Sequence, residues 1–169
     1  MTVLETDRLV LRRFSVDDAG FILELLNEPS WLRFIGDPGV RTLEDAESYL
    51  LKGPIEMYAR HGFGLYLTAL KADGVPMGMC GLVKREALDD IDIGFAFLPR
   101  FWGRGYAHEA AAAVMAHAKA ALGLRRVVAI VAPDNRSSLK LLGKLGMRFE
   151  RMVKLADGGQ EIELFGRRL

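Results

Sequence analysis

The stretch Trp102-Gly103-Arg104-Gly105-Tyr106-Ala107 decides how the rest of the chain is read. It lies between an apolar run, Ile91 to Leu98, that reads as a strand and an alanine-rich run, about Ala107 to Leu122, that reads as a helix. Glycines at such a junction let the backbone approach a ligand closely. The free N–H groups of the helix start then offer an anion several donors and a favourable dipole. The pattern predicts a phosphate ligand. Two nucleotide-binding motifs share the strand, the Gly-rich turn and the helix, and both are excluded. The dinucleotide turn needs a third Gly or Ala where His108 stands, and the triphosphate loop needs Gly-Lys-Ser/Thr closing a longer loop.

Working outward, Arg8 to Phe14 reads as a strand, and Ser15 with Asp18 as a capping box opening a helix from about Val16 to Asn27. The Pro- and Gly-containing stretch from Glu28 to Arg41 reads as a loop or short helical turn packing through Trp31, Phe34 and Ile35. Thr42 with Asp45 opens another helix to about Lys52. Gly53-Pro54 is expected to break it before a short helical piece ending near His61. Gly64–Leu70, Pro76–Lys84 and Asp90–Leu98 form a three-strand meander whose first turn is Ala72-Asp73-Gly74. Beyond the alanine-rich helix, Arg126–Val131 is a continuous apolar strand of the kind buried on both faces. Asn135–Leu145 is a helix with Leu139, Leu141, Leu142 and Leu145 inward, capped by Gly146. Arg148–Leu155 and Gln160–Arg167 close the chain as a hairpin. The order β-α-α-β-β-β-α-β-α-β-β, without repeat or linker, predicts one α/β domain spanning residues 1–169.

Several of these segments together resemble the GNAT superfamily of N-acetyltransferases. Gly105, Tyr106 and Ala107 match the second half of its pyrophosphate-binding motif, while Trp102 stands where that motif carries Arg or Gln. Four further segments are similar to the branch containing the ribosomal-protein N-terminal acetyltransferases. They are Leu4 to Arg12, Ile93-Gly94-Phe95-Ala96-Phe97-Leu98-Pro99, Tyr106-Ala107-His108-Glu109-Ala110, and Asp134 to Ser138 followed by Lys144-Leu145-Gly146-Met147. The resemblance covers nearly the whole chain in order. It implies a mixed, mostly antiparallel central sheet flanked by helices. It also implies an acetyl-CoA-dependent enzyme that acetylates a primary amine by direct transfer in a ternary complex. The acceptor it favours is a protein or peptide N-terminus. A small-molecule amine, or a non-catalytic acyl-CoA-binding module, is the alternative.

Composition is ordinary for a soluble globular protein. Half of the 169 residues are hydrophobic and 27% are charged. A chain this long buries about 70% of its unfolded surface in one core. No apolar run approaches the roughly 20 residues of a membrane span, and Met1 is not followed by the apolar segment of a signal peptide, so a cytoplasmic location is expected. A net charge of +1, with basic residues dispersed apart from Arg125-Arg126 and Arg167-Arg168, argues against nucleic-acid binding. The lone Cys80, in the run Met77–Val83, reads as a buried structural thiol. His108 and His117 have no ligand partner at metal-binding spacing, so no metal is expected. The oligomeric state, monomer or homodimer, is not legible.

Acetyl transfer needs a neutral amine, a polarised carbonyl and a protonated leaving thiolate. The resemblance implies that Phe95, Ala96 and Phe97 hold pantetheine through strand-like backbone bonds. Gly103, Arg104, Gly105, Tyr106, Ala107 and His108 would surround the pyrophosphate. Asp92, on the strand face opposite Ile91, Ile93, Phe95 and Phe97, is the candidate base and an acceptor contact, with Asp90 the lesser one. A chain of waters would serve instead of either. The tyrosine acid common in the family falls on Leu142, and the glutamate of another N-terminal branch on Ile130. The ribosomal-protein branch that the chain resembles places a Ser three residues after the Asn, and Ser138 stands there, so the resemblance implies that it hydrogen-bonds the sulfur or relays a proton. Asn135 would cap its helix and hold pantetheine or substrate, though both residue types also serve as plain helix-start residues. Trp31, Arg33, Phe34, Ile35 and the segment near Asp157 are expected beside the acceptor, with the aromatics as core cover the alternative.

Overall fold

A computed structural model describes residues 1–169. Eight strands form one sheet: β1 (Thr2–Glu5), β2 (Leu9–Arg12), β3 (Leu65–Leu70), β4 (Pro76–Val83), β5 (Asp92–Phe97), β6 (Arg126–Val131), β7 (Arg148–Val153) and β8 (Ile162–Arg168). They are ordered β1-β2-β3-β4-β5-β6-β8-β7. All neighbours are antiparallel except β5 and β6, which run parallel. The mixed sheet agrees with the expected class. The closing hairpin folds back so that β8, not β7, pairs with β6.

The helices are α1 (Ala19–Leu26), α2 (Pro29–Phe34), α3 (Leu43–Leu50), α4 (Glu56–His61), α5 (Tyr106–Ala120) and α6 (Arg136–Lys144). Helix α5 buries Ala110, Ala111, Val114, Met115 and Ala118 against the sheet. Its alanines allow close approach, and Val114 and Met115 each add roughly 1.5–3 kcal/mol of apolar burial. That face carries the larger core, with Ile93, Phe97, Val127, Ala129 and Leu142. Helices α1 to α3 cover the opposite face over Leu67, Ala69 and Met79. Because side chains alternate along a strand, β5 serves both layers: Phe95 and Phe97 face α5, while Ala96 packs toward α1–α3. Cys80 is fully buried, and burial pushes its thiol pKa well up, as suits a structural residue. No helix is long and apolar enough to cross a membrane.

Three features differ from the sequence expectation. Thr2–Glu5 forms an additional edge strand, paired in a hairpin with β2, because the register Leu4↔Leu11 and Glu5↔Val10 supplies partners that a four-residue segment does not announce. Gly53-Pro54 does not break the helical run. A π-helical turn, Leu51–Ile55, takes up the proline with its missing N–H and leads directly into α4. In α6 only Leu142 is fully inward, with Leu145 buried just past its end, while Leu139 and Leu141 are half-buried.

Candidate active site

Parallel strands β5 and β6 meet at a single register pair, Asp92↔Val128, where the Val128 N–H donates to the Ile91 carbonyl at 3.0 Å. Beyond it they separate, since β6 follows β8 on its other side while β5 follows β4. The alternation of an antiparallel ladder then decides which β5 groups face the gap. Leu98 N–H donates to Met77 O at 2.9 Å, which places the backbone of Ala96 and Gly94, at even spacing from Leu98, in the β4 ladder. The backbone groups of Phe95 and Phe97 face the gap. Ala96 is therefore a corrected expectation: its amide and carbonyl are committed to β4. One gap-facing group is already satisfied, because the Trp102 indole Nε1–H donates to Phe97 O at 2.8 Å.

A 3-10 turn over Pro99–Phe101 leads from the gap into the loop. Gly103 and Gly105 have φ of 77° and 81°, values that side-chain-bearing residues rarely adopt, so both glycines are required by the turn itself. Gly105 is the N-cap of α5 and no side chain caps the helix, which leaves its first N–H groups to be satisfied by something else. Arg104 and His108 are exposed around this opening, and Tyr106 and Ala107 are half-buried beside it.

Behind the loop, on the β2 side, lies a cluster for which single-sequence reading had no role. Glu109, in the first turn of α5, accepts from the Thr6 hydroxyl and the Arg8 amide (3.1 Å) on Oε2, and from Arg8 Nε (2.7 Å) on Oε1. Arg8 also donates to the Arg104 carbonyl at 3.0 Å and lies over the Tyr106 ring at 4.4 Å. Partial burial acts to raise the Glu109 pKa, but the Thr6 and Arg8 hydrogen bonds outweigh it and hold the carboxyl below its ordinary value.

The other end of β5 carries Asp92, which is buried on the face opposite α5. Its Oδ2 accepts from Arg85 Nε at 3.2 Å, and its Oδ1 is buried with no partner. Desolvation raises its pKa, and the Arg85 charge opposes that without cancelling it. Asp90 is occupied differently: Arg126 binds it at 3.1 Å and binds Glu150 with both terminal nitrogens. Beyond β6, Asn135 caps α6 by accepting from Ser138 N–H at 3.3 Å, with Ser138 half-buried in the first turn. Leu142 is core, and Ile130 packs beside Leu88, Val128 and Val153. Of the acceptor-side aromatics, Trp31 is buried in the core over α1 and α3, so it covers that core. Phe34 is half-buried, stacked under Arg33 at 4.7 Å, and Arg33 reaches Asp134 at 3.6 Å. This contact joins α2 to the loop between β6 and α6. The segment near Asp157 lies in the β7–β8 turn.

Comparison with known proteins agrees with this geometry. Residues 8–148 match the family model described as the acetyltransferase (GNAT) domain. The chain is 29% identical to the uncharacterized N-acetyltransferase YoaA of Bacillus subtilis, over 90% of this chain and 86% of that protein. The crystal structure of an acetyltransferase from Agrobacterium tumefaciens superposes with a TM-score of 0.85 at 24% identity, covering 100% of this chain and 95% of that one. RimL, a ribosomal L7/L12 alpha-N-protein acetyltransferase solved with coenzyme A, superposes at 0.84 and 20% identity, covering 100% and 98%. With the family model spanning most of its length, the sheet opened between β5 and β6 and the uncapped helix beside it, the chain belongs to the GNAT acetyltransferase family and is an acyltransferase.

Proposed function

We propose that this acyltransferase moves an acetyl group from acetyl-CoA to a primary amine, by direct transfer in a ternary complex, and that the acceptor is a protein or peptide N-terminal α-amine. The observation that carries the first part is the continuity of the gap with the open start of α5. The gap-facing groups of Phe95 and the Phe97 N–H offer an extended amide-bearing arm bonds that a neighbouring strand would make, while Trp102 holds the Phe97 carbonyl. The loop Gly103–Gly105 and the first N–H groups of α5 receive the pyrophosphate, where dipole and donors favour negative charge. Arg104 and His108 flank it.

Asp92 marks the acceptor side. A base must be ionised yet basic enough to take a proton, and a carboxylate whose burial raises its pKa meets both demands better than an exposed one. Asp92 removes the proton of the incoming ammonium, directly or through water, and the neutral amine attacks the thioester carbonyl. The tetrahedral intermediate collapses with C–S cleavage, and the proton that its nitrogen loses in becoming an amide is relayed through the Ser138 hydroxyl to the departing thiolate. Phe34, held by Arg33 and joined to the α6 loop through Asp134, lines the acceptor entrance. The N-terminal α-amine is favoured by the resemblance of the sequence to the ribosomal-protein branch and by the RimL-like fold. A cytoplasmic setting, where acetyl-CoA and new peptide N-termini coexist, fits this reaction.

The test is acetyl-CoA-dependent thiol release across peptides with different N-termini, polyamines, aminoglycosides and free amino acids, with Gly105→Glu as control. Release stimulated by peptides and lost in the control is the expected result. Release with small amines alone would overturn the acceptor assignment, and absence of acetyl-CoA binding by the unaltered protein would overturn the cofactor.

A further inference from the structure

We infer that Thr6, Arg8 and Glu109 form a brace that fixes both the position and the charge of the phosphate loop, with Arg8 a positioning residue for the cofactor's pyrophosphate. The inference rests on the acetyl-CoA reading above. Glu109 stands four residues after Gly105, so an unpaired carboxylate there would repel the pyrophosphate that the same helix start attracts. The structure turns that carboxylate toward β1 and β2 and binds both of its oxygens. One cation thereby neutralises the one acidic side chain in the first turn of α5.

The same guanidinium holds the loop mechanically. Nε and Nη1 donate to Glu109 and to the Arg104 carbonyl, the plane lies over Tyr106, and Nη2 would be 3.4 Å from a Cβ placed on Gly105. Arg8 thus backs the loop from the β2 side, while the gap that receives the pantetheine arm opens on the β6 side. Its mount is stiff: Thr6 N–H donates to Leu9 O at 2.9 Å and Leu9 N–H to the Thr6 hydroxyl at 3.0 Å, closing the turn between β1 and β2. A planar fork is needed to serve the helix and the loop at once, a task that a lysine cannot reproduce.

Calorimetric titration with CoA and with acetyl-pantetheine, which carries the arm without the pyrophosphate, separates this role from a general structural one. Arg8→Ala is expected to weaken CoA binding about tenfold or more while changing acetyl-pantetheine binding by less than about twofold. Adding Glu109→Gln to Arg8→Ala removes the exposed carboxylate and is expected to restore about threefold of the CoA affinity. Should Arg8→Ala not fold, Arg8→Lys carries the test, with a loss of about threefold for CoA and none for acetyl-pantetheine. Equal losses for the two ligands, no loss for CoA, or a double variant as weak as Arg8→Ala would overturn the inference. Failure of the unaltered protein to bind CoA would instead overturn the cofactor reading itself.

Discussion

The two ends of β5 are built on opposite principles. At its C-terminal end, the groups on offer are backbone: gap-facing groups of Phe95 and Phe97, glycines at positive φ and an uncapped helix start, backed by a brace in which both carboxylate oxygens of Glu109 are satisfied. At its N-terminal end stands a side chain, Asp92, buried with one oxygen unpartnered and held by a single arginine nitrogen. The first end has its shape set by backbone geometry and by the brace behind it. The second carries an electrostatic cost in the folded chain, which is the condition under which a carboxylate becomes a useful base. A common cofactor suits a rigid backbone cradle, whereas proton removal from an acceptor suits a group left unstable in its charged form.

Gly105→Glu attacks the backbone end most directly, because it places a side chain at a φ of 81° and a negative charge at the proposed phosphate site. A fall in kcat/KM of about a hundredfold or more is expected, appearing as lost acetyl-CoA affinity in titration. Asp92→Asn attacks the other end. Turnover is expected to fall by about tenfold to a hundredfold with KM for acetyl-CoA unchanged, and the acidic limb of the pH–rate profile should disappear. Its effect on stability should have the opposite sign. The folded pKa of Asp92 is raised, so its contribution is favourable at low pH and is lost as pH rises through the folded value. The neutral amide should therefore melt higher near pH 7, by about 2 °C or more. Lost acetyl-CoA affinity in this variant would show that the two ends are not separate.

Gly166→Ala serves as a control away from the phosphate loop, across the sheet from Asp92 through Val128. The Arg126–Glu150 pair crosses β8 directly over Gly166, and a Cβ there would run into both side chains. Denaturant unfolding should show a loss of about 1–3 kcal/mol. Acetyl-CoA affinity should be unmoved. The smallest effect is expected from Trp102→Phe, which keeps an aromatic ring but leaves the Phe97 carbonyl without its indole donor. A rise in acetyl-CoA KM of about fivefold, equivalent to one hydrogen bond of about 1 kcal/mol, with kcat unchanged, would sharpen the assignment of this residue to the backbone end.

The backbone end was the more legible in sequence. Gly103 and Gly105 report a conformation directly, because few other residues adopt it, and the strand before them and the alanine-rich helix after them fixed their setting. The hairpin β1–β2 is only half legible, since Thr2–Glu5 is four residues long and acquires strand character by pairing with Leu9–Arg12. The Thr6–Arg8–Glu109 brace was present in two motifs that sequence reading noticed but could not connect. Alternation gave the face of Asp92 correctly. It did not reveal the burial of Asp92, its Arg85 partner or the occupation of Asp90 by Arg126.

Local spacing and glycine placement by themselves determined the strand–loop–helix unit, the layering of an α/β sheet and the expectation of a phosphate at the start of α5. Those properties depend on neighbours a few residues apart, whose steric limits and periodicity are written along the chain. Only the tertiary structure decided that β5 and β6 part after Asp92, that Ala96 belongs to β4 and not to the gap, and that Arg8 backs a loop about a hundred residues away in sequence. Each of these follows from which strand lies beside which, and desolvation or a hydrogen bond between distant segments leaves no periodic trace in the sequence.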